Sequence, residues 1–197
     1  MNFEDLLEKA ARREWGVLTS ILRDNPNFCE PCNETGETIL TEVVHLLPPR
    51  SFIEAFVQCG GEINARSVEG YSASLALAES CGGHDVTLVF SSLQDFGADL
   101  TAIGYNGWSA LHFAVARSCE ELVVWLVSNN VCVNKLSGAP DEETPLHVAS
   151  RNSNEAMVGL LLELGADVHA RDSYGMSAID CAFSLKIRKL LQGFNSS

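Results

Sequence analysis

A few places in the 197-residue sequence set reactive side chains close enough together to suggest chemistry. Cys29-Glu30-Pro31-Cys32 has the spacing of half a zinc site or of a redox dithiol. Zinc needs two more ligands at similar spacing and none follows, while a redox pair needs a βαβ setting, so the segment is expected to be a loop. Gly82-Gly83-His84-Asp85 and Asp141-Glu142-Glu143 are the other tight clusters. Three solvated carboxylates at 141–143 suit docking better than a metal cage, because nothing nearby completes a coordination shell. G-x-S-x-G, a phosphate-cradling glycine loop, H-E-x-x-H and paired cysteine clusters are all absent from the sequence. The expectation is a non-enzyme: no catalytic residue, no metal, no cofactor and no small-molecule substrate.

His112 and His147 draw attention for another reason, the look-alike stretches around them. Thr144-Pro145-Leu146-His147-Val148-Ala149 reads as a helix start, with Thr144 able to cap and Pro145 at the first helical position. Ser109-Ala110-Leu111-His112-Phe113-Ala114 and Ser177-Ala178-Ile179-Asp180-Cys181-Ala182 repeat that pattern. Aligning Leu40, Ser74, Leu111, Leu146 and Ile179 gives intervals of 34, 37, 35 and 33 residues, and Ser74 alone breaks the apolar column. A period of this size signals a repeat array. Apolar residues at helical spacing predict two helices in each segment, with Pro48-Pro49 and Gly60-Gly61 as stops in the second. The expected boundaries are 1–35 as an N-terminal cap, then 36–69, 70–106, 107–141, 142–174, and a shortened 175–194 as a C-terminal cap bearing Lys186, Arg188 and Lys189. These would form a single domain over 1–197.

The totals narrow the class of partner. Net charge is −13, from 26 acidic against 13 basic residues, which argues against nucleic acid or an anionic membrane as the ligand. No Lys or Arg occurs between Arg66 and Arg117, although Glu69, Glu79, Asp85, Asp95 and Asp99 all fall there. Such a region attracts a basic protein at a salt-sensitive rate. The longest apolar run, Leu122 to Val127, is too short to span a bilayer, and the acidic start lacks a signal-peptide pattern. Seven irregularly spaced cysteines, with Cys59, Cys119, Cys132 and Cys181 in apolar surroundings, read as buried or half-buried free thiols. Together these features suggest a cytoplasmic protein, or a nuclear one in a eukaryote.

On the residues Thr144 to Ala149, Leu111-His112-Phe113-Ala114, Gly165-Ala166-Asp167-Val168 and Gly97-Ala98-Asp99-Leu100, the chain resembles the ankyrin repeat family. Weaker forms of its motifs stand at Gly60-Gly61-Glu62-Ile63-Asn64 and Asn130-Val131-Cys132-Val133-Asn134. The resemblance implies an all-α repeat solenoid of about five to six helix-turn-helix units joined by short β-hairpin tongues. It also implies that His112 and His147 tie neighbouring repeats by hydrogen bonds, and that Gly83-His84 is a turn between two helices.

The same resemblance places partner binding on tongue tips and on the exposed side of each first helix. The tip positions are Val68, Glu69, Tyr71, Tyr105, Asn106, Trp108, Asp141, Glu143, Ser173, Tyr174 and Met176, and the first-helix positions include Glu42, Glu79, Phe113, Arg117, Arg151 and Asn152. All three tyrosines and one of three tryptophans fall on tips, and such side chains are favoured binding anchors. The function expected is a stoichiometric inhibitor or adaptor whose concave, aromatic and acidic face holds a basic protein, one version being an immunity-type neutraliser of a toxin. The alternatives are a regulatory or scaffold subunit, such as an assembly chaperone, and a hydrolase hidden in the degenerate third segment.

Overall fold

The structure, a computed structural model, describes residues 2–31, 35–82 and 85–194. Eleven α-helices lie in it: α1 Phe3–Ala11, α2 Trp15–Asp24, α3 Ile39–Val43, α4 Arg50–Gln58, α5 Ala73–Ser80, α6 Thr87–Asp95, α7 Ala110–Ala116, α8 Glu120–Ser128, α9 Pro145–Arg151, α10 Glu155–Glu163 and α11 Leu185–Phe194. They fall as pairs inside the expected segments. The sixth segment has a turn in place of its first helix, so α11 stands alone there. Cys32, Gly83 and His84, and with them the Cys-x-x-Cys and Gly-His readings, lie outside the described residues.

The chain forms two compact units, Met1–Ser80 with Asp85–Tyr105, and Asn106–Ser197 with Cys81–His84. In the first, α1, α3 and α5 pack in one row and α2, α4 and α6 in a second. Leu6, Leu18, Leu22, Leu40, Phe52, Phe56, Leu77 and Phe90 fill the space between them and are fully or almost fully buried. No pair of helices this short is stable alone in water, so the rows exist because each pair buries its neighbour's apolar face. In the second unit α7 packs on α8 and α9, α9 on α10, and α10 on α11, around Leu111, Leu122, Leu126, Leu146, Val158 and Leu161.

Helix starts are built alike. Thr38 and Thr41, Ser109 and His112, and Thr144 and His147 form reciprocal capping boxes. The two histidines then reach further. His112 Nδ1 accepts the Ser109 N–H at 3.3 Å, which fixes the ring proton on Nε2, where it is donated to the Glu143 carbonyl at 3.0 Å. His147 repeats this between the Thr144 N–H, at 3.2 Å, and the Met176 carbonyl, at 3.0 Å. In α5 the equivalent position is Leu75, and Ser74, out of register with the apolar column, is buried and donates instead to the Asp99 carbonyl at 3.2 Å.

Asparagines make the second class of tie. Asn64 donates to the Gly97 carbonyl at 2.9 Å and accepts the Asp99 N–H at 2.8 Å. Asn134 binds Gly165 and Asp167 in the same way, at 3.5 and 2.8 Å. The tongues, expected as β-hairpins, are closed by turns: no β-strand occurs among the described residues, and Arg171 and Ser177 form an isolated bridge. Their arms exchange single backbone bonds, Ser67 to Tyr71, Ser137 to Glu143 and Asp172 to Met176. Side chains do the rest, for example the Asp172 carboxylate, which accepts the Tyr174 and Met176 N–H groups. So short an arm leaves no room for a ladder.

Two outcomes follow from these contacts. Gly107 has φ +80°, and an added Cβ would stand 2.9 Å from the Gly138 backbone, whereas at Gly165, with φ +89°, it meets nothing within 4 Å. Urea denaturation should show Gly165→Ala destabilised by about 1 kcal/mol and Gly107→Ala by roughly 3 kcal/mol, the excess being overpacking against backbone. Burial lowers the His112 pKa from 6.5 to about 4, with the nearby Lys135 charge adding to it against the Glu143 hydrogen bond. The unfolded chain therefore takes up this proton near pH 6.5 while the folded chain refuses it until about 4. Stability is complete above the higher value and falls as pH drops toward the lower, by about 2 kcal/mol at pH 5. A His112→Gln variant should lose that part of the slope between pH 7 and pH 5; an unchanged slope would contradict the assignment.

Candidate functional site

The tongue between α5's repeat and its predecessor carries Val68 and Glu69, both exposed, with Tyr71 half-buried behind them. Val68 is tied through its N–H to the Thr35 carbonyl at 2.7 Å, and the Glu69 carbonyl accepts the Tyr105 N–H at 3.3 Å. This pairing brings two tips of the first unit side by side. Tyr105 projects outward and is 88% exposed, and Val68 is 72% exposed. Glu79, on α5, is half-buried.

In the second unit the tongue ending at Glu143 meets the one that follows. The Ser173 N–H donates to the Asp141 carbonyl at 2.9 Å, and the Tyr174 hydroxyl donates to the Asp141 carboxylate at 3.2 Å. That bond to a carboxylate holds the Tyr174 phenol above its ordinary pKa. Tyr174 is 70% exposed, with Met176 exposed beside it. Asn106, Arg117 and Asn152 are exposed as well, and Asn106 accepts the Trp108 N–H at 3.0 Å.

Two expected contact residues are elsewhere. Phe113 is buried, because α7 is covered along nearly its whole length and the Trp108 ring meets Phe113 edge-on at 5.4 Å. Trp108, stacked 6.4 Å from His112 as well, is half-buried and belongs partly to the core. Glu143 is buried too. Its carboxylate takes both Arg151 guanidinium nitrogens in a forked pair, its N–H donates to Ser137 Oγ, and its carbonyl accepts from His112. Arg151 stays partly exposed, yet its charge is committed to Glu143. Local sequence placed Glu143 in an acidic tip; the cation that draws it inward comes eight residues later, on α9.

Cys29, Cys81 and Cys119 are buried, as expected, and Cys59 and Cys181 are half-buried, but Cys132 is exposed. Burial, reinforced by the adjacent Cys59 thiol, pushes Cys29 up to about 12, and the Cys119 thiol does the same for Cys81. Thiols held so far above neutral pH are poor nucleophiles. No group of three or more His, Cys, Asp or Glu among the described residues is placed to hold a metal ion, and no helix there is long and apolar enough to cross a membrane.

One titratable site was not visible in the sequence. The Glu42 carboxyl on α3 shares a hydrogen bond with the Glu37 carboxyl, and that bond, then burial, raises it to about 7. The two residues lie five positions apart across a helix start, a spacing that carries no motif.

Comparison with known proteins agrees with this architecture. The family model for ankyrin repeats, three copies, matches residues 75–172. The chain is 32% identical over 132 residues to the human neurogenic locus notch homolog protein 2, a match of 67% of this chain and 5% of that protein. It is 29% identical over 140 residues to the mouse B-cell lymphoma 3 protein homolog, 71% of this chain and 31% of that one. The chain thus spans well under two thirds of the curated relatives it matches. Among solved structures, the ankyrin repeat domain of Bcl-3, described as a unique member of the IkappaB protein family, superposes with a TM-score of 0.79 at 25% identity, over 97% of this chain and 84% of that one. Repeat period, paired helices with histidine-tied starts, and these matches all lead to one conclusion: the chain belongs to the ankyrin repeat family.

Proposed function

We propose that this chain is an inhibitor or adaptor that holds a basic protein partner through its tongue tips. Ankyrin repeats are protein–protein interaction modules, so the class of partner follows from the family. The finer reading is supported by one observation above all: Tyr105 and Tyr174 stand 88% and 70% exposed on tongue tips, Tyr174 bonded to the Asp141 and Asp172 carboxylates and Tyr105 to the backbone of Glu69. A tyrosine left in water has its rigid apolar area available to a partner at little entropic cost. Tyr105 is bonded through its N–H to Glu69, which follows Val68 in the chain; around Tyr174 stand Asp141 and Asp172, with Met176 two residues on. Interleaved acids favour Lys- and Arg-bearing surfaces and penalise acidic ones. Phe113 and Glu143 drop out of the contact set, and Trp108 and Arg151 contribute through the parts they leave exposed. An immunity-type neutraliser of a basic toxin is the sharpest version of this reading.

Affinity purification with the intact chain, followed by calorimetry on the captured partner, tests it. Tyr105→Ala and Tyr174→Ala should each weaken binding by roughly 30-fold without changing the melting temperature. Trp108→Ala should lower both, since its ring is packed on Phe113 and His112. The association rate should fall as salt rises from 50 to 500 mM, as steering by opposite charge requires. Unchanged affinity in both tyrosine variants would sink the tongue-tip reading, and a salt-independent rate would remove the basic partner.

A further inference from the structure

In the first unit the chain leaves α3 through a 3₁₀ turn, Val44–Leu46, places Leu47 at φ 58° and enters α4 through Pro48 and Pro49. Two consecutive prolines offer no N–H and form a rigid apolar wall. Facing them is the start of α6. Its buried stripe is Val89, Phe90 and Leu93, with Val86 just before the helix, but Leu88 falls out of that phase and is 77% exposed. Between wall and helix runs a groove of about 510 Å³ lined by Leu47, Pro48, Pro49, Leu88 and Val89, together with Arg50 and Asp85. Its size lies within the roughly 300–1,000 Å³ of ordinary ligand sites.

The charges of this lining are unequal. Arg50 is paired with Asp95 and lies 5.1 Å over the Phe96 ring, so its charge is compensated. Among the described residues, no salt bridge is formed by Asp85. Its Oδ1 accepts the Thr87 N–H at 2.9 Å and the Thr87 hydroxyl at 2.6 Å, bonds that keep the carboxyl below its ordinary pKa. Asp85 is otherwise exposed, and the nearest cations along the chain in either direction are Arg66 and Arg117. The groove, apolar along Leu47, Pro48, Pro49, Leu88 and Val89 and polar at Ser91 and Ser92, thus also presents one carboxylate that no described cation pairs with.

We propose that this groove docks a short segment of a partner protein in which a large apolar side chain adjoins a Lys or Arg. The apolar group sits between Leu88 and the Pro48–Pro49 wall, and the cation pairs with Asp85. A second copy of this chain is a poor occupant, since at net charge −13 it brings like charge to Asp85. The site lies at the turn end of α3 and α4, whereas the tips lie on the tongues after each pair, so it stands or falls independently of the tongue-tip reading.

The test pans a phage-displayed library of random dodecapeptides on the intact chain, with the Leu88→Glu chain as counter-selection. Enriched peptides should carry Leu, Ile, Met or Phe within a few residues of Lys or Arg. A synthetic representative should lose about tenfold in affinity on Leu88→Glu and about fivefold on Asp85→Asn, the latter effect vanishing in 1 M salt. Asn keeps the Thr87 cap, and circular dichroism should show both variants folded with unchanged melting temperatures. Amide exchange should slow at Leu47, Arg50 and residues 87–89 when the peptide binds. The proposal is overturned if nothing is enriched, if the peptides lack a basic residue, or if Leu88→Glu leaves affinity unchanged. It also fails if Tyr105→Ala weakens binding as much as Leu88→Glu, which places the peptide on the tongues. Sedimentation that shows a dimer lost on Leu88→Glu would assign the groove to self-association instead.

Discussion

A carbonyl on one tongue, accepting the proton of a histidine rooted in the first helix of the preceding helix pair, is the contact on which the second unit's geometry depends. The ring is committed at both ends: Nδ1 closes the start of its own helix and Nε2 holds the next tongue. The buried His112 imidazole so placed satisfies a buried backbone donor and a buried backbone acceptor, and losing it would leave both unpaired. Because Nε2 of His112 must find the Glu143 carbonyl, the tongue that ends at Glu143 is fixed relative to α7. The first unit reaches the same end with other groups. Ser74 holds Asp99, and Asn64 holds both Gly97 and Asp99, so a side chain from one repeat still sets the backbone of a tongue. Apolar burial supplies the attraction between helix pairs, and these directed bonds fix register.

Fixing the backbone from within leaves the tips free of structural duty. Tyr105 and Val68 are exposed although their N–H groups are bonded, to Glu69 and Thr35. A side chain presented on a rigid turn loses little freedom when it is bound, which is the condition for a strong anchor. Tip and core are not separated by residue type, however. Trp108 divides its surface between Phe113, His112 and solvent, and Glu143 contributes its whole polar group to the interior.

The helix pairs were legible because the signals that make them are local. Thr144 caps and Pro145 starts the helix they open, and apolar residues three and four apart announce the buried stripe. The resemblance to the ankyrin repeat family then implied the long-range information that a single helix does not contain, that His112 and His147 tie neighbouring repeats. Exposure at the tips was less legible. Phe113 and Glu143 occupy positions that are surface in the pattern, but their burial depends on Trp108 and Arg151, partners set by this chain's own choices rather than by the repeat. The groove shows the converse. Leu88 is an apolar residue out of phase with Val86, Val89 and Leu93, and local sequence does not say that Pro48 and Pro49 stand opposite.

The formal charge of −13 also changes meaning once the carboxylates are placed. Asp85, Asp99 and Asp180 accept hydrogen bonds from Thr87, Thr101 and Ser177, and those bonds hold each below its ordinary pKa. Such groups keep their charge through mild acid, and the backbone they cap depends on their doing so. Glu42 behaves oppositely: its hydrogen bond with Glu37, then burial, raises it to about 7, so it takes up a proton well before an ordinary carboxylate does. The acidic field is therefore weakened where two carboxyls share a proton and persistent where a carboxylate is bonded to a turn. Asp85 and Asp99 lie in the stretch without Lys or Arg, so the region poorest in cations is also one that keeps its negative charge as pH falls. A basic partner steered there would feel nearly the same attraction at pH 5.5 as at pH 7, whereas an attraction built on Glu42 would fade across that interval.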